Sequence, residues 1–118
     1  MSVAIYPGTF DPVTKGHLDV LSRACQLFEK VIVAVSAGNN VKNTLFDVSM
    51  RVQLVKENLS NHENAKVESF SGLLVDYALE KKANVVVRGL RAVSDFEYEF
   101  QMTQMNRHLD SSIETIFL

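Results

Sequence analysis

The feature that most restricts this chain is a repeated change of hydrophobic period. Short β-branched runs such as Val31-Ile32-Val33-Ala34-Val35 and Val85-Val86-Val87 alternate with stretches whose apolar residues recur every three or four positions. A continuous apolar run shows hydrophobic side chains on both faces of a strand, which suits a parallel sheet covered on both sides. Strands are predicted at Val3–Tyr6, Val31–Ser36, Lys66–Phe70, Asn84–Arg88 and Ile113–Leu118. A first helix would carry Leu18, Leu21, Cys25 and Phe28 on one stripe. A second would align Val48, Val52, Val55 and Leu59, with Asp47 as its N-cap. A third covers about Leu73–Lys82, and a fourth opens with the capping-box pattern Ser94-Asp95-Phe96-Glu97. Strand–helix alternation repeated in this way predicts an α/β fold: a Rossmann-like, doubly wound parallel sheet of about five strands flanked by helices.

With 118 residues the chain fits one domain, 1–118, large enough to bury a core without staples. The net charge of −2 argues against non-specific nucleic-acid binding or a polybasic membrane surface. It leaves room for an anionic substrate, because the placement of Arg and Lys counts for more than their sum. The lone Cys25 can form neither an intrachain disulfide nor a cysteine-based metal cluster, and its helical spacing reads as a small core hydrophobe. The N-terminus lacks a basic start followed by an apolar stretch. The apolar runs fall far short of the roughly 20 residues that cross a bilayer. A cytoplasmic location is the expectation. Nothing follows the fifth predicted strand, so a fragment of a longer polypeptide is expected.

Two stretches carry chemistry. Tyr6-Pro7-Gly8-Thr9-Phe10-Asp11-Pro12-Val13-Thr14-Lys15-Gly16-His17 leads from the first strand into the first helix, where a doubly wound fold builds its phosphate site. Thr9 offers a hydroxyl and an amide, and His17 falls near a helix N-terminus that favours anions. The alternative is a Gly/Pro-rich connection whose histidine only caps the helix. Neither a Gly-x-Gly-x-x-Gly fingerprint nor a P-loop occurs, so any phosphate site must be built differently. The second stretch, Arg88-Gly89-Leu90-Arg91-Ala92-Val93-Ser94-Asp95-Phe96-Glu97-Tyr98-Glu99, leaves the fourth strand with two arginines suited to bidentate phosphate binding. Surface ion pairing with Asp95, Glu97 or Glu99 is the alternative there.

Gly8-Thr9-Phe10-Asp11-Pro12 followed by Thr14-Lys15-Gly16-His17 resembles the nucleotidyltransferase superfamily with the His/Thr-x-Gly-His signature. That block is shared by adenylyl- and cytidylyltransferases with several acceptors. The Arg88–Glu99 stretch, continued through Met105-Asn106-Arg107-His108, resembles the phosphopantetheine adenylyltransferase family. So do Phe70-Ser71-Gly72-Leu73-Leu74 and Asn39-Asn40-Val41-Lys42, although Lys42-Asn43-Thr44 departs from the Lys-Lys-Pro-like stretch common in that family. The family also continues beyond the fifth strand with a serine-rich loop that contacts ATP and with terminal helices, and the 118 residues are expected to stop short of both.

The resemblance implies reversible transfer of AMP from ATP to 4′-phosphopantetheine, giving dephospho-coenzyme A and pyrophosphate. The acceptor phosphate, largely dianionic at neutral pH, attacks in line without a covalent intermediate. Catalysis would then be positioning plus electrostatic stabilisation, and a general base is unnecessary. By matching motif, the catalytic set would be His17, Lys42 and Arg91. ATP would meet Thr9, Phe10, His17, Gly89, Leu90, Arg91 and Glu99; the acceptor would meet Thr9, Lys42, Leu74 and Arg88. Mg²⁺ is expected with the triphosphate, held by substrate oxygens and water rather than by a protein carboxylate cage. A homo-oligomer, a hexamer by resemblance, and feedback by coenzyme A are inherited expectations. His62 and His108 read as solvent-facing or structural. Two rival readings stay open: transfer to another acceptor such as nicotinamide mononucleotide or glycerol phosphate, and a nucleotide-binding module without turnover.

Overall fold

In the computed structural model, residues 2–37, 44–89 and 113–118 are described. The elements run β1 (Val3–Gly8), α1 (Lys15–Leu27), β2 (Lys30–Ser36), α2 (Val48–Lys56), β3 (Ala65–Phe70), α3 (Leu74–Glu80), β4 (Val85–Arg88) and β5 (Glu114–Phe117). The strands form one sheet in the order β3-β2-β1-β4-β5, with every pairing parallel.

Side-chain alternation sorts the core into two layers. Ala4, Tyr6, Val31, Val33, Val35 and Val87 gather with Leu21 and Ala24 of α1 and Val55 of α2. Ile5, Ile32, Ala34 and Val86 point the other way, to Val75, Tyr77 and Ala78 of α3. Five consecutive residues of β2, from Val31 to Val35, are buried, as an apolar run between two layers requires. Each fully buried valine or isoleucine there contributes roughly 1.5–3 kcal/mol relative to exposure. The chain builds β1, β2 and β3 outward in one direction, then crosses back to place β4 on the other side of β1. Uniform crossover handedness then requires α1 and α2 on one face and α3 on the opposite one, as found.

The helix ends are closed by specific side chains. Asp47 accepts the Met50 amide at 2.9 Å and starts α2. Asn64 Nδ2 donates to the carbonyls of Cys25 (2.9 Å) and Phe28 (3.0 Å), satisfying acceptors that α1 leaves open at its C-terminus. Gly72, at φ 85°, turns the chain from β3 into α3 in a conformation that a side chain would strain. Cys25 is half-buried against the α1/α2 layer, and burial pushes its thiol pKa up, in keeping with a packing role. Among the described residues no helix is long and apolar enough to cross a membrane. The expected fourth helix falls outside the described residues.

Candidate active site

The strand order has one reversal of direction, at β1/β4, and both strands run the same way. Their carboxyl ends therefore open on one edge of the sheet, where open α/β folds bind ligands. The register pairs Ala4 with Val85 and Ile5 with Val86. Continued along the strands, it sets Arg88 beside Pro7 and Gly89 beside Gly8. A Cβ added to Gly89 would lie 3.0 Å from Val20 Cγ2 of α1 and 3.9 Å from the Tyr6 hydroxyl. The end of β4 thus lies against the helix that carries His17, one turn from Val20, which brings the start of the second motif, Arg88-Gly89, to the first.

The first turn is built around a buried aromatic ring. Phe10 takes a left-handed backbone conformation, φ 51°, unusual for a residue with a side chain. Such a conformation costs on the order of 1–3 kcal/mol. The ring offsets it by burial, packing edge-on against Tyr6 (5.3 Å between centroids) and His17 (4.9 Å). Thr9, one residue earlier, is exposed at the end of β1.

Thr14 and His17 form a reciprocal cap at the start of α1. Thr14 Oγ1 accepts the His17 amide at 3.3 Å, and His17 Nδ1 accepts the Thr14 amide at 2.9 Å. A backbone N–H can only donate, so Nδ1 must be an acceptor, and the neutral imidazole then carries its proton on Nε2. The capping alternative raised by the sequence is therefore correct as far as it goes. It uses one ring nitrogen and fixes the other as a donor. The first turn of α1 contains no acidic residue to compete with an anion at this helix end.

Arg51 is a residue that the sequence reading missed. It is 3% exposed, and its guanidinium donates to three carbonyls: Nε to Phe46 (3.0 Å), and Nη1 to Thr9 (3.0 Å) and Ser36 (2.9 Å). Asp11 works from the other side, accepting the amides of Leu45 (2.6 Å) and Phe46 (2.9 Å). Helical spacing held the clue, because Arg51 lies three residues after Val48 and four before Val55, on the apolar stripe.

Of the other expected residues, Leu74 opens α3 and packs against the layer containing Ile5 and Ile32. Arg88 is half-buried at the end of β4, where its carbonyl accepts the Leu118 amide at 2.8 Å. Lys42, Leu90, Arg91 and Glu99 lie outside the described residues, as does His108. His62 borders an open groove of about 590 Å³ between α1 and the α2–β3 connection, on the flank of α1 and remote in sequence from both motifs.

Comparison with known proteins follows the same lines. A family model described as cytidylyltransferase-like matches residues 5–118. The phosphopantetheine adenylyltransferase of Geotalea daltonii is 54% identical over 118 residues, covering 100% of this chain and 73% of its own length. That of Nautilia profundicola is 58% identical over 115 residues, 98% of this chain and 74% of its own. The chain belongs to the phosphopantetheine adenylyltransferase family. Solved structures extend the likeness in fold alone. A lipopolysaccharide core biosynthesis protein from Thermoplasma volcanium superposes with a TM-score of 0.72 at 22% identity, covering 100% of this chain and 96% of that one. A bifunctional NMN adenylyltransferase/ADP ribose pyrophosphatase from Francisella tularensis gives a TM-score of 0.73 at 18% identity, covering 99% of this chain and 37% of that one.

Proposed function

We propose that this phosphopantetheine adenylyltransferase family member transfers AMP from ATP to 4′-phosphopantetheine, giving dephospho-coenzyme A and pyrophosphate. The observation that carries the proposal is the juxtaposition of the β1–α1 turn with the end of β4, in a chain more than half identical to named phosphopantetheine adenylyltransferases. Two polyanions must meet at one phosphorus, which calls for fixed donors more than for proton transfer. Thr9 would bind both reactants through hydroxyl and amide. Phe10 would offer its amide to the ATP phosphates. His17 would donate through Nε2–H to the α-phosphate as charge builds in the five-coordinate state, with Nδ1 held by Thr14.

The acceptor phosphate would sit on Arg88 and Lys42, with the pantetheine arm along Leu74. Gly89, Leu90, Arg91 and Glu99 complete the expected ATP site, with Arg91 countering triphosphate charge. Among the described residues no group of three His, Cys, Asp or Glu side chains could cage a metal ion, and both Asp11 oxygens are engaged by amides. Mg²⁺ would enter as part of the MgATP substrate, ligated mostly by phosphate oxygens and water, where it would neutralise triphosphate charge. A cytoplasmic homo-oligomer, hexameric and subject to coenzyme A feedback, completes the proposal by family resemblance; light scattering and inhibition by coenzyme A test those two parts.

The decisive assay incubates the chain with ATP, Mg²⁺ and 4′-phosphopantetheine and detects dephospho-coenzyme A by mass. A parallel panel with nicotinamide mononucleotide and glycerol phosphate reads pyrophosphate release. Product from 4′-phosphopantetheine alone supports the proposal. Release with another acceptor, or ATP binding with no product from any, contradicts it.

A further inference from the structure

Arg51 poses a question that packing alone does not answer. A guanidinium at 3% exposure has lost almost all of its water, yet its partners are carbonyl oxygens. Among the described residues it has no carboxylate partner. Buried cations are ordinarily paired with an anion. This one lies behind the turn in which the phosphate site is placed.

The bond to Thr9 has a directional consequence. The Thr9–Phe10 peptide is trans, so its C=O and N–H point in opposite directions. Thr9 C=O is drawn onto Arg51 Nη1, which turns Phe10 N–H away from the guanidinium. The left-handed conformation of Phe10 needs such a restraint, because it is not one the residue adopts on its own. A charge-assisted bond to the carbonyl also polarises the peptide, which strengthens its N–H as a donor. The restraint is a closed ring. Asp11 holds the Phe46 amide, the Phe46 carbonyl receives Arg51 Nε, and Arg51 Nη1 returns to Thr9, two residues before Asp11. The same Nη1 bridges to Ser36 at the end of β2, so one side chain ties together the ends of two neighbouring strands. A lysine has the charge but not the fork that reaches these carbonyls together.

We propose that Arg51 is a positioning residue for phosphate binding: it aims and polarises the Phe10 amide so that this amide donates to a phosphate oxygen of the nucleotide. The proposal rests on the reading of the β1–α1 turn as a phosphate site, and the test separates the two.

The experiment uses the full chain labelled with ¹⁵N-phenylalanine, with the Phe10 amide assigned by Phe10→Leu, and inorganic pyrophosphate as the probe. In wild type, pyrophosphate is expected to move the Phe10 amide proton downfield. In Arg51→Lys, shown folded by circular dichroism, that movement is expected to be largely lost. Its KM for ATP should rise about fivefold or more, and by a larger factor than KM for the acceptor. An unchanged Phe10 response and unchanged ATP KM in a folded Arg51→Lys overturns the positioning role while leaving the phosphate site standing. A wild-type Phe10 amide that ignores pyrophosphate overturns the phosphate reading of this turn, and the positioning role with it. Should Arg51→Lys fail to fold, the wild type still decides: a coupling through the hydrogen bond between an Arg51 guanidinium nitrogen and the Thr9 carbonyl carbon is expected, and its absence overturns the proposal.

Discussion

His17 Nδ1 accepts the amide of Thr14 at 2.9 Å, so the imidazole proposed to meet the substrate also closes the helix that bears it. One ring nitrogen serves the fold, and that bond sets the tautomer of the other.

Two substitutions separate those duties. His17→Ala removes both and should lower kcat roughly tenfold or more, with stability falling by about 1 kcal/mol from the lost cap. His17→Glu restores a standard capping-box partner and adds a favourable charge at the helix N-terminus. Its Tm should match or exceed that of His17→Ala, while its activity falls lower still because a carboxylate repels phosphate. Steady-state kinetics and thermal unfolding of both variants check this. An active His17→Glu would remove the imidazole from the chemistry.

Arg88→Ala should weaken binding of 4′-phosphopantetheine more than binding of ATP, since the guanidinium is assigned to the acceptor phosphate. Isothermal titration with each ligand gives the comparison. A larger loss for ATP would reassign Arg88 to the triphosphate.

Gly89→Ala should destabilise the chain by about 1 kcal/mol, because the new methyl meets Val20 Cγ2 at 3.0 Å and valine is stiff about χ1. Val20→Ala in the same chain should recover most of that loss. Urea unfolding of the two single variants and the double variant measures the coupling. Purely additive losses would mean that β4 and α1 do not approach as described.

Glu68 predicts a pH effect on stability. Burial raises its carboxyl, but hydrogen bonds from Lys81 (2.8 Å) and Tyr77, with the charges of Lys81 and Lys66, outweigh that and hold its pKa below the ordinary value. A depressed folded pKa stabilises above the unfolded carboxylate value of about 4.3, and the gain is lost as pH falls through the lower folded value. Glu68→Gln should therefore be less stable than wild type at pH 7, with the gap closing below roughly pH 4. Burial, reinforced by Glu68, pushes the Tyr77 phenol pKa up, so its contribution is lost only on the alkaline side, above about pH 10. Denaturant midpoints across pH 3–8 (approximate limits) for the two proteins test the acid limb.

The sheet was legible because Val31–Val35 and Val85–Val87 leave no solvent face to a strand. The five expected strands are found with ends shifted by two residues at most. The largest shift is instructive: β1 runs through Pro7 to Gly8, because Pro7 and Gly8 continue the parallel register with Ala34 and Val35 where sequence reads them as breakers. Leu59 joins the α1/α2 layer from beyond the end of α2, so the expected stripe outlasts its helix. Of the candidate site, motif spacing singled out Thr9, His17 and Arg88, which the structure sets just past β1, in the first turn of α1 and at the end of β4. Arg51 escaped because an arginine on a helix reads as solvent-facing until the carbonyls that receive it are known. Two of those three carbonyls belong to Thr9 and Ser36, far from it in sequence. Lys42, Leu90, Arg91, Glu99 and the fourth helix lie outside the described residues.

The most direct measurement is a crystal structure with dephospho-coenzyme A bound. Its diphosphate bridge is expected beyond the carboxyl ends of β1 and β4, within hydrogen-bond reach of His17 Nε2 on one side and the Arg88 guanidinium on the other. A diphosphate seated elsewhere, such as the groove beside His62, with His17 and Arg88 touching no common ligand, would contradict a shared phosphate site.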